Sequence, residues 1–238
     1  GMREAEQHAV RLDEMAPAVF EAALNFMYTG SCELDEESLP ALLEASARLQ
    51  VLSLQQAVVA ALKERLNAET ALNLWSLADS LTLPDLTGAA IEMALKQFKT
   101  IASQTALLLE ATHAQLCTLV ADDKLTLPDE EAVFRAIQFW VDGQRTPLPE
   151  ADLLSLLRPV RFACMAREFV QNYVRVWPPL RTVDGQDLLI EALFAVGGPP
   201  KPRRGFKTSI VWQVHHATFG DDCGGGGHVL SSHHSRRC

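Results

Sequence analysis

The sequence predicts a mainly α protein built of antiparallel helical hairpins, and three observations carry that prediction. Apolar residues recur three and four positions apart along most of the chain, the spacing of one helix face. Residues that start and stop helices bracket these stretches, with prolines and acidic residues in front and glycines behind. The connections between them are short, which folds consecutive helices back on one another. Over 197–238 the pattern gives way to Pro, Arg, Gly and His, and this part reads as a disordered tail.

Taken in order, His8, Val10 and Leu12 alternate as in a short strand. In the stretch 20–30, FEAALNFMYTG, the residues Phe20, Ala23, Leu24 and Met27 share a face with Val19. Pro17 suits the first turn of that helix and Gly30 its left-handed stop. Residues 32–34 form a brief extended link. Asp35, Glu36 and Glu37 then read as an acidic helix start, favourable at the positive end of the dipole. Leu39, Leu42, Leu43, Ala47 and Leu49 make the next apolar face, and Leu54, Val58, Ala61, Leu62 and Leu66 the one after, ending near Asn67.

Ala71, Leu74, Trp75 and Ala78 continue the helical reading, with no convincing strand after Thr70. Pro84 opens a longer helix to about Phe98, with Leu86, Ala90, Met93 and Ala94 facing inward. Shorter helical pieces cover 105–109 and 113–121. The clearest helix spans 129–141. Pro128 stands at its start, Asp129, Glu130 and Glu131 fill its first turn, and Gly143 ends it. Val133, Phe134, Ile137, Trp140 and Val141 share its inner face. Helices over 149–157, 166–176 and 187–195 complete the array. One pentapeptide occurs twice, LTLPD at 81–85 and at 125–129, 44 residues apart. It reads as a reused helix start, consistent with stacked helical hairpins.

Composition and motif content exclude several functions. A formal charge of −9 argues against a nucleic-acid surface or a polybasic membrane anchor. No apolar run reaches the ~18 residues of a membrane span, and no basic-then-apolar leader opens the chain. Cys32, Cys117, Cys164, Cys223 and Cys238 are an odd set without any C-x-x-C, as expected of reduced thiols in a cytoplasmic or nuclear protein. Arg161 and Arg167 flank Cys164, the electropositive kind of setting that a reactive cysteine needs. His215, His216, Cys223, His228, His233, His234 and Cys238 could ligate a transition metal, yet their spacings match no structural zinc pattern, so no metal or other cofactor is expected. The phosphate-loop, dinucleotide, zinc-protease and nucleophile-elbow signatures are all absent, and no enzymatic activity is expected. Histidines are concentrated in the tail rather than beside a candidate nucleophile.

The ordered landmarks resemble one family. F-x-x-x-L-x-F-hydrophobic-Y-T-G at 20–30 is similar to the most recognisable segment of a BTB (POZ) domain. Residues 67–80, NAETALNLWSLADS, resemble the "three-box" helices that open a BACK domain, and Phe98 resembles the end of a later helix of that region. Lys124 to Glu131 with Val133, Phe134, Trp140 and Val141 is similar to the L-x-V-x-x-E and V-F-x-A-x-x-x-W-V signature. Leu156, Leu157, Val160, Arg161 and Phe162 match L-L-x-x-V-R-hydrophobic. The chain thus resembles the kelch-like (BTB–BACK–kelch) family. The implied domains are 1–66, the C-terminal part of a BTB domain; 67–196, a BACK domain whose three-box helices are 67–98; and 197–238, the tail. There, 193–198 resembles the opening strand of a kelch blade without the rest of a propeller.

The resemblance implies a non-catalytic substrate adaptor of a cullin-3 RING ubiquitin ligase. It places a hydrophobic-x-Glu contact motif at Met2 and Glu4, where methionine can fill an apolar notch and glutamate can hydrogen-bond locally; a solvent-exposed terminus is the alternative. It further implies that the first half of the BTB domain does not precede Gly1, which would weaken cullin-3 binding and impair homodimerisation, and that the substrate protein is not specified by this chain. A structural or cytoskeletal spacer, or a nonproductive truncated isoform, are the other readings.

Overall fold

Pro17 and Gly30 frame the first helix as the sequence predicts. In this computed structural model, which describes residues 15–32, 35–194 and 203, Ala16 is extended, Pro17 is the first helical residue, and α1 spans Pro17–Thr29. Gly30 adopts φ 74° and its N–H reaches the Phe26 carbonyl at 2.8 Å, a left-handed stop open to glycine at little cost. The described residues form twelve helices and no strand. The strand expected around His8 lies outside them.

A 3₁₀ turn at Glu36–Ser38 leads into α2, Leu39–Arg48, so the acidic triplet precedes the α-helix instead of filling its first turn. Helix α3 spans Leu52–Glu64 and packs antiparallel on α2 through Leu42, Leu43, Leu54, Val58 and Leu62. Then come α4, Ala71–Ser80, and α5, Pro84–Lys96, the most extensive hairpin of the fold. The chain turns at Gln97 into α6, Phe98–Ser103, then α7, Thr105–Glu110, and α8, His113–Ala121. Phe98, the expected end of the longer helix, instead opens the next one.

Both tight hairpins turn through a strained residue. After α2, Gln50 has φ 57°, with Val51 N–H on the Ser46 carbonyl (3.0 Å) and Gln50 N–H on that of Ala47 (3.2 Å). After α4, Thr82 has φ 55°, with Leu83 N–H on Ala78 (2.9 Å) and Thr82 N–H on Asp79 (3.1 Å). Each is a Schellman closure whose left-handed position lacks the usual glycine.

The repeated pentapeptide enters its two helices in different registers. In the first copy Pro84 is the first residue of α5 and Asp85 lies in its first turn. In the second, Asp129 is the N-cap of α9, Glu130–Asp142, and its Oδ1 accepts the Ala132 N–H at 2.8 Å. Leu125 and Leu127 of that copy are buried, and Thr126 N–H bonds to the Leu95 carbonyl at the end of α5.

Helix α9 is the axis of the second half. Phe134 is fully buried and meets Phe162, Phe169 and Trp177 edge-on, with centroids 6.2, 6.0 and 5.5 Å away. Trp140 donates to the Ala111 carbonyl at 2.9 Å. Gly143 closes α9 without a positive φ; a Cβ there would stand 2.5 Å from Leu109 Cδ2, so its role is close approach to α7. Helix α10, Glu150–Leu157, precedes α11, Arg167–Phe169, which runs on as a π-helical turn at Val170–Val174. The last helix, α12, covers Val183–Phe194 and so begins one turn before the expected 187. The buried apolar residues, from Val19 to Leu189, form one connected core.

Replacing Thr82 or Gln50 by Gly removes the left-handed strain and is expected to raise stability by about 0.5–1 kcal/mol at each site, read as a higher Tm in thermal unfolding. Phe134→Ala is expected to cost about 3–5 kcal/mol, because three rings lose their common partner; denaturant titration measures it.

Candidate protein-interaction site

Met2 and Glu4 lie outside the described residues, as do the histidines and cysteines of 215–238. The first element that the structure describes is α1, followed by the turn after it. Val19, Ala22 and Ala23 are the buried face of α1, about one position round from the predicted stripe. Phe20 and Leu24 are half-buried, and Met27, expected inside, is 46% exposed. Tyr28 is 86% exposed. Glu21, Asn25 and Tyr28 fall on one side of the helix by their spacing.

A cleft of about 730 Å³ is lined by Ala18, Glu21, Asn25 and Thr29 of α1 and by Cys32 and Asp35 after it. The Thr29 hydroxyl donates to the Asn25 carbonyl at 2.6 Å and accepts the Ser31 N–H at 3.3 Å, fixing the turn that bounds the cleft. Two carboxylates, an amide and an adjacent exposed phenol make a polar groove with an aromatic knob, suited to a protein surface.

Two polar clusters elsewhere in the fold escaped sequence reading. One contradicts the expectation that no histidine stands beside a nucleophile. His113 and Cys117, one turn apart on α8, meet Ser155 of α10. His113 Nε2 lies 3.4 Å from Cys117 Sγ, 3.3 Å from Ser155 Oγ and 2.9 Å from the Asp152 carbonyl. A carbonyl only accepts, so Nε2 carries the proton and cannot take one from the thiol. Burial raises the Cys117 thiol above its ordinary range, against a lowering hydrogen bond from Ser155, with Asp152 raising it further. The cluster ties α8 to α10.

The other cluster is the acidic start of α9. Asp129 caps its own helix, but Glu130 Oε1 accepts the Arg161 N–H at 2.9 Å and Glu131 Oε1 the Ala166 N–H at 3.1 Å. The two glutamates therefore hold the 161–166 turn against α9, beyond the dipole role the sequence assigns them. Arg161 itself is ion-paired with Asp123. Burial raises the Cys164 thiol, and Glu130 raises it further, outweighing Arg161 and Arg203, which lower it. The arginine neighbours do not activate this cysteine.

Comparison with known proteins matches residues 1–66 to the BTB/POZ domain family and 71–175 to the BACK family, "BTB And C-terminal Kelch". Kelch-like protein 17 of Homo sapiens is 30% identical over 197 residues, covering 81% of this chain and 30% of that protein. The chain belongs to the Kelch-like family as a BTB–BACK module. Kelch-like protein 5 of Homo sapiens is 27% identical and covers 81% of the chain and 25% of that protein. Kelch-like protein 3 of Bos taurus is 25% identical, covering 81% and 32%. The chain thus spans about a third or less of the length of these relatives.

Helices α1 to α3 form the BTB part and α4 to α11, with its π turn, the BACK part. Gln115 strengthens the BACK part in a way its sequence does not advertise. It completes a capping box with Thr112, and its Nε2 reaches the Leu72 carbonyl (2.9 Å) and Ser76 Oγ (3.0 Å) on α4. Among the described residues no group of His, Cys, Asp and Glu is arranged to hold a metal, and no helix is long and apolar enough to cross a membrane.

Because burial lifts both the Cys117 and Cys164 thiols, iodoacetamide labelling of each is expected to be slow at pH 7 and still climbing above pH 9, followed by mass spectrometry. A plateau reached below pH 8 would contradict that environment.

Proposed function

We propose that this BTB–BACK module is a non-catalytic adaptor that docks on the cullin-3 scaffold of a RING ubiquitin ligase. What carries the reading is the ordered match of a BTB part and then a BACK domain to Kelch-like proteins over 81% of the chain. Met2 supplies the apolar contact and Glu4 the hydrogen-bonding one, and the cleft and Tyr28 of α1 offer further surface to the same partner. The large exposure of Tyr28 supports this, since a phenol on a helix surface offers much contact area at low entropic cost. The BACK helices, joined to α1–α3 through one core, serve as a stiff spacer between that surface and whatever the adaptor presents. The substrate, the partners and the activity of a full-length Kelch-like protein belong to this proposal.

Purified chain and cullin-3 N-terminal domain, measured by calorimetry, test it. Met2→Asp with Glu4→Ala is expected to weaken binding at least tenfold, and Tyr28→Ala several-fold, with the Tm of each variant within about 1 °C of the parent because the described parts of these sites are exposed. Binding unchanged by all three substitutions, or no binding by the parent chain, would remove the adaptor reading.

A further inference from the structure

Glu130 is 2% exposed, and a carboxylate taken so far out of water needs a cation and further donors. The Arg161 N–H supplies one donor. The cation comes from 73 residues further on: Arg203, also 2% exposed, lies across the carboxylate. Its Nε stands 3.1 Å from Oε2 and 3.3 Å from Oε1, and its Nη2 3.2 Å from Oε1. Two further N–H groups go to backbone. Nη1 donates to the Asp122 carbonyl at 2.7 Å and Nη2 to the Pro159 carbonyl at 3.3 Å.

The setting explains why a cation belongs there. Asp122 is the C-cap of α8, and Pro159 follows the C-cap of α10. Both carbonyls come from helix ends, where the dipole is negative and acceptors lack intrahelical partners. Three acceptor groups from three helices surround one planar fork, a pattern that five guanidinium N–H groups can satisfy and an ammonium cannot.

We propose that Glu130, the Asp122 carbonyl and the Pro159 carbonyl form a guanidinium-binding socket in the BACK domain, filled in this chain by Arg203. The socket is selective for arginine over lysine. It holds Arg203 at the junction of α8, α9 and α10, so that Arg203 acts as an internal ligand, and a guanidinium supplied from outside can replace it when Arg203 is removed.

The test is chemical rescue in the full chain. Arg203→Ala is expected to lower Tm by about 5–10 °C, and Arg203→Lys to recover less than half of that loss. Methylguanidinium at tens of millimolar is expected to raise the Tm of Arg203→Ala saturably; methylammonium at equal ionic strength is expected to leave it unchanged. An Arg203→Ala variant melting within 1 °C of the parent, or equal effects of the two amines, would overturn the proposal. Nitrogen-15 NMR of the parent chain covers a variant that fails to fold. One arginine Nε–H protected from exchange at neutral pH, and absent in Arg203→Lys, is expected; no protected Nε–H in the parent would overturn it.

Discussion

Asp129, Glu130 and Glu131 sit where the α9 dipole is positive, yet only Asp129 satisfies its own helix. The other two carboxylates reach out of α9 and accept backbone N–H groups of Arg161 and Ala166. Those bonds set the turn that carries Phe162 and places α11 behind it, and both elements deliver rings to Phe134 one turn further along α9. The aromatic core of the second half thus depends on a polar constraint at its edge. Without it the 161–166 turn would have to find other acceptors for buried N–H groups, and the edge-on ring geometry would have no fixed frame.

The same economy accounts for the other polar clusters. Gln115 spends its amide on two acceptors of α4 and its carbonyl on its own cap. His113 gives its proton to a carbonyl of α10, which deprives Cys117 of a base although the two rest in contact. Arrangements that look chemical by residue type are structural by hydrogen-bond direction. Direction is set by what a carbonyl can do, and a carbonyl cannot donate.

Much of the fold was legible because periodicity reports burial directly. Leu74, Trp75, Ala78, Val133, Phe134, Ile137 and Trp140 are all buried where their spacing puts them. The LTLPD repeat announced two helix starts, although not their different registers, which depend on whether the leucine before the proline or the aspartate after it occupies the cap position. Failures cluster where a local rule competes with packing. Met27 follows the apolar period of α1, yet the buried face of that helix is the stripe of Val19, Ala22 and Ala23, and Met27 is exposed. Gln50 and Thr82 hold left-handed turns that their residue types do not advertise, because the hairpins on either side dictate the closure. The cross-chain contacts of Gln115, Glu130, Glu131 and Ser155 join residues about 30 to 40 positions apart, and no helical or strand period encodes such distances. The H-x-x-x-C spacing on α8 was the one available signal for the His113 cluster. Of the proposed contact residues, Met2 and Glu4 came from family likeness alone, while the exposure of Tyr28 needed the structure.

These assignments divide the module's polar residues by function. Those that link its helices are committed to holding them in place, which is what the proposed spacer role would use. The residues left to recognise a partner are at the surface, and on α1 they lie apart from the buried stripe of Val19, Ala22 and Ala23. A substitution at Tyr28 therefore tests binding with little effect on folding, whereas one at Glu130 or Gln115 reports on folding first. That separation follows from helix geometry. A face that packs on α2 and α3 cannot also face outward, and the residues one third of a turn away are free to vary with the partner.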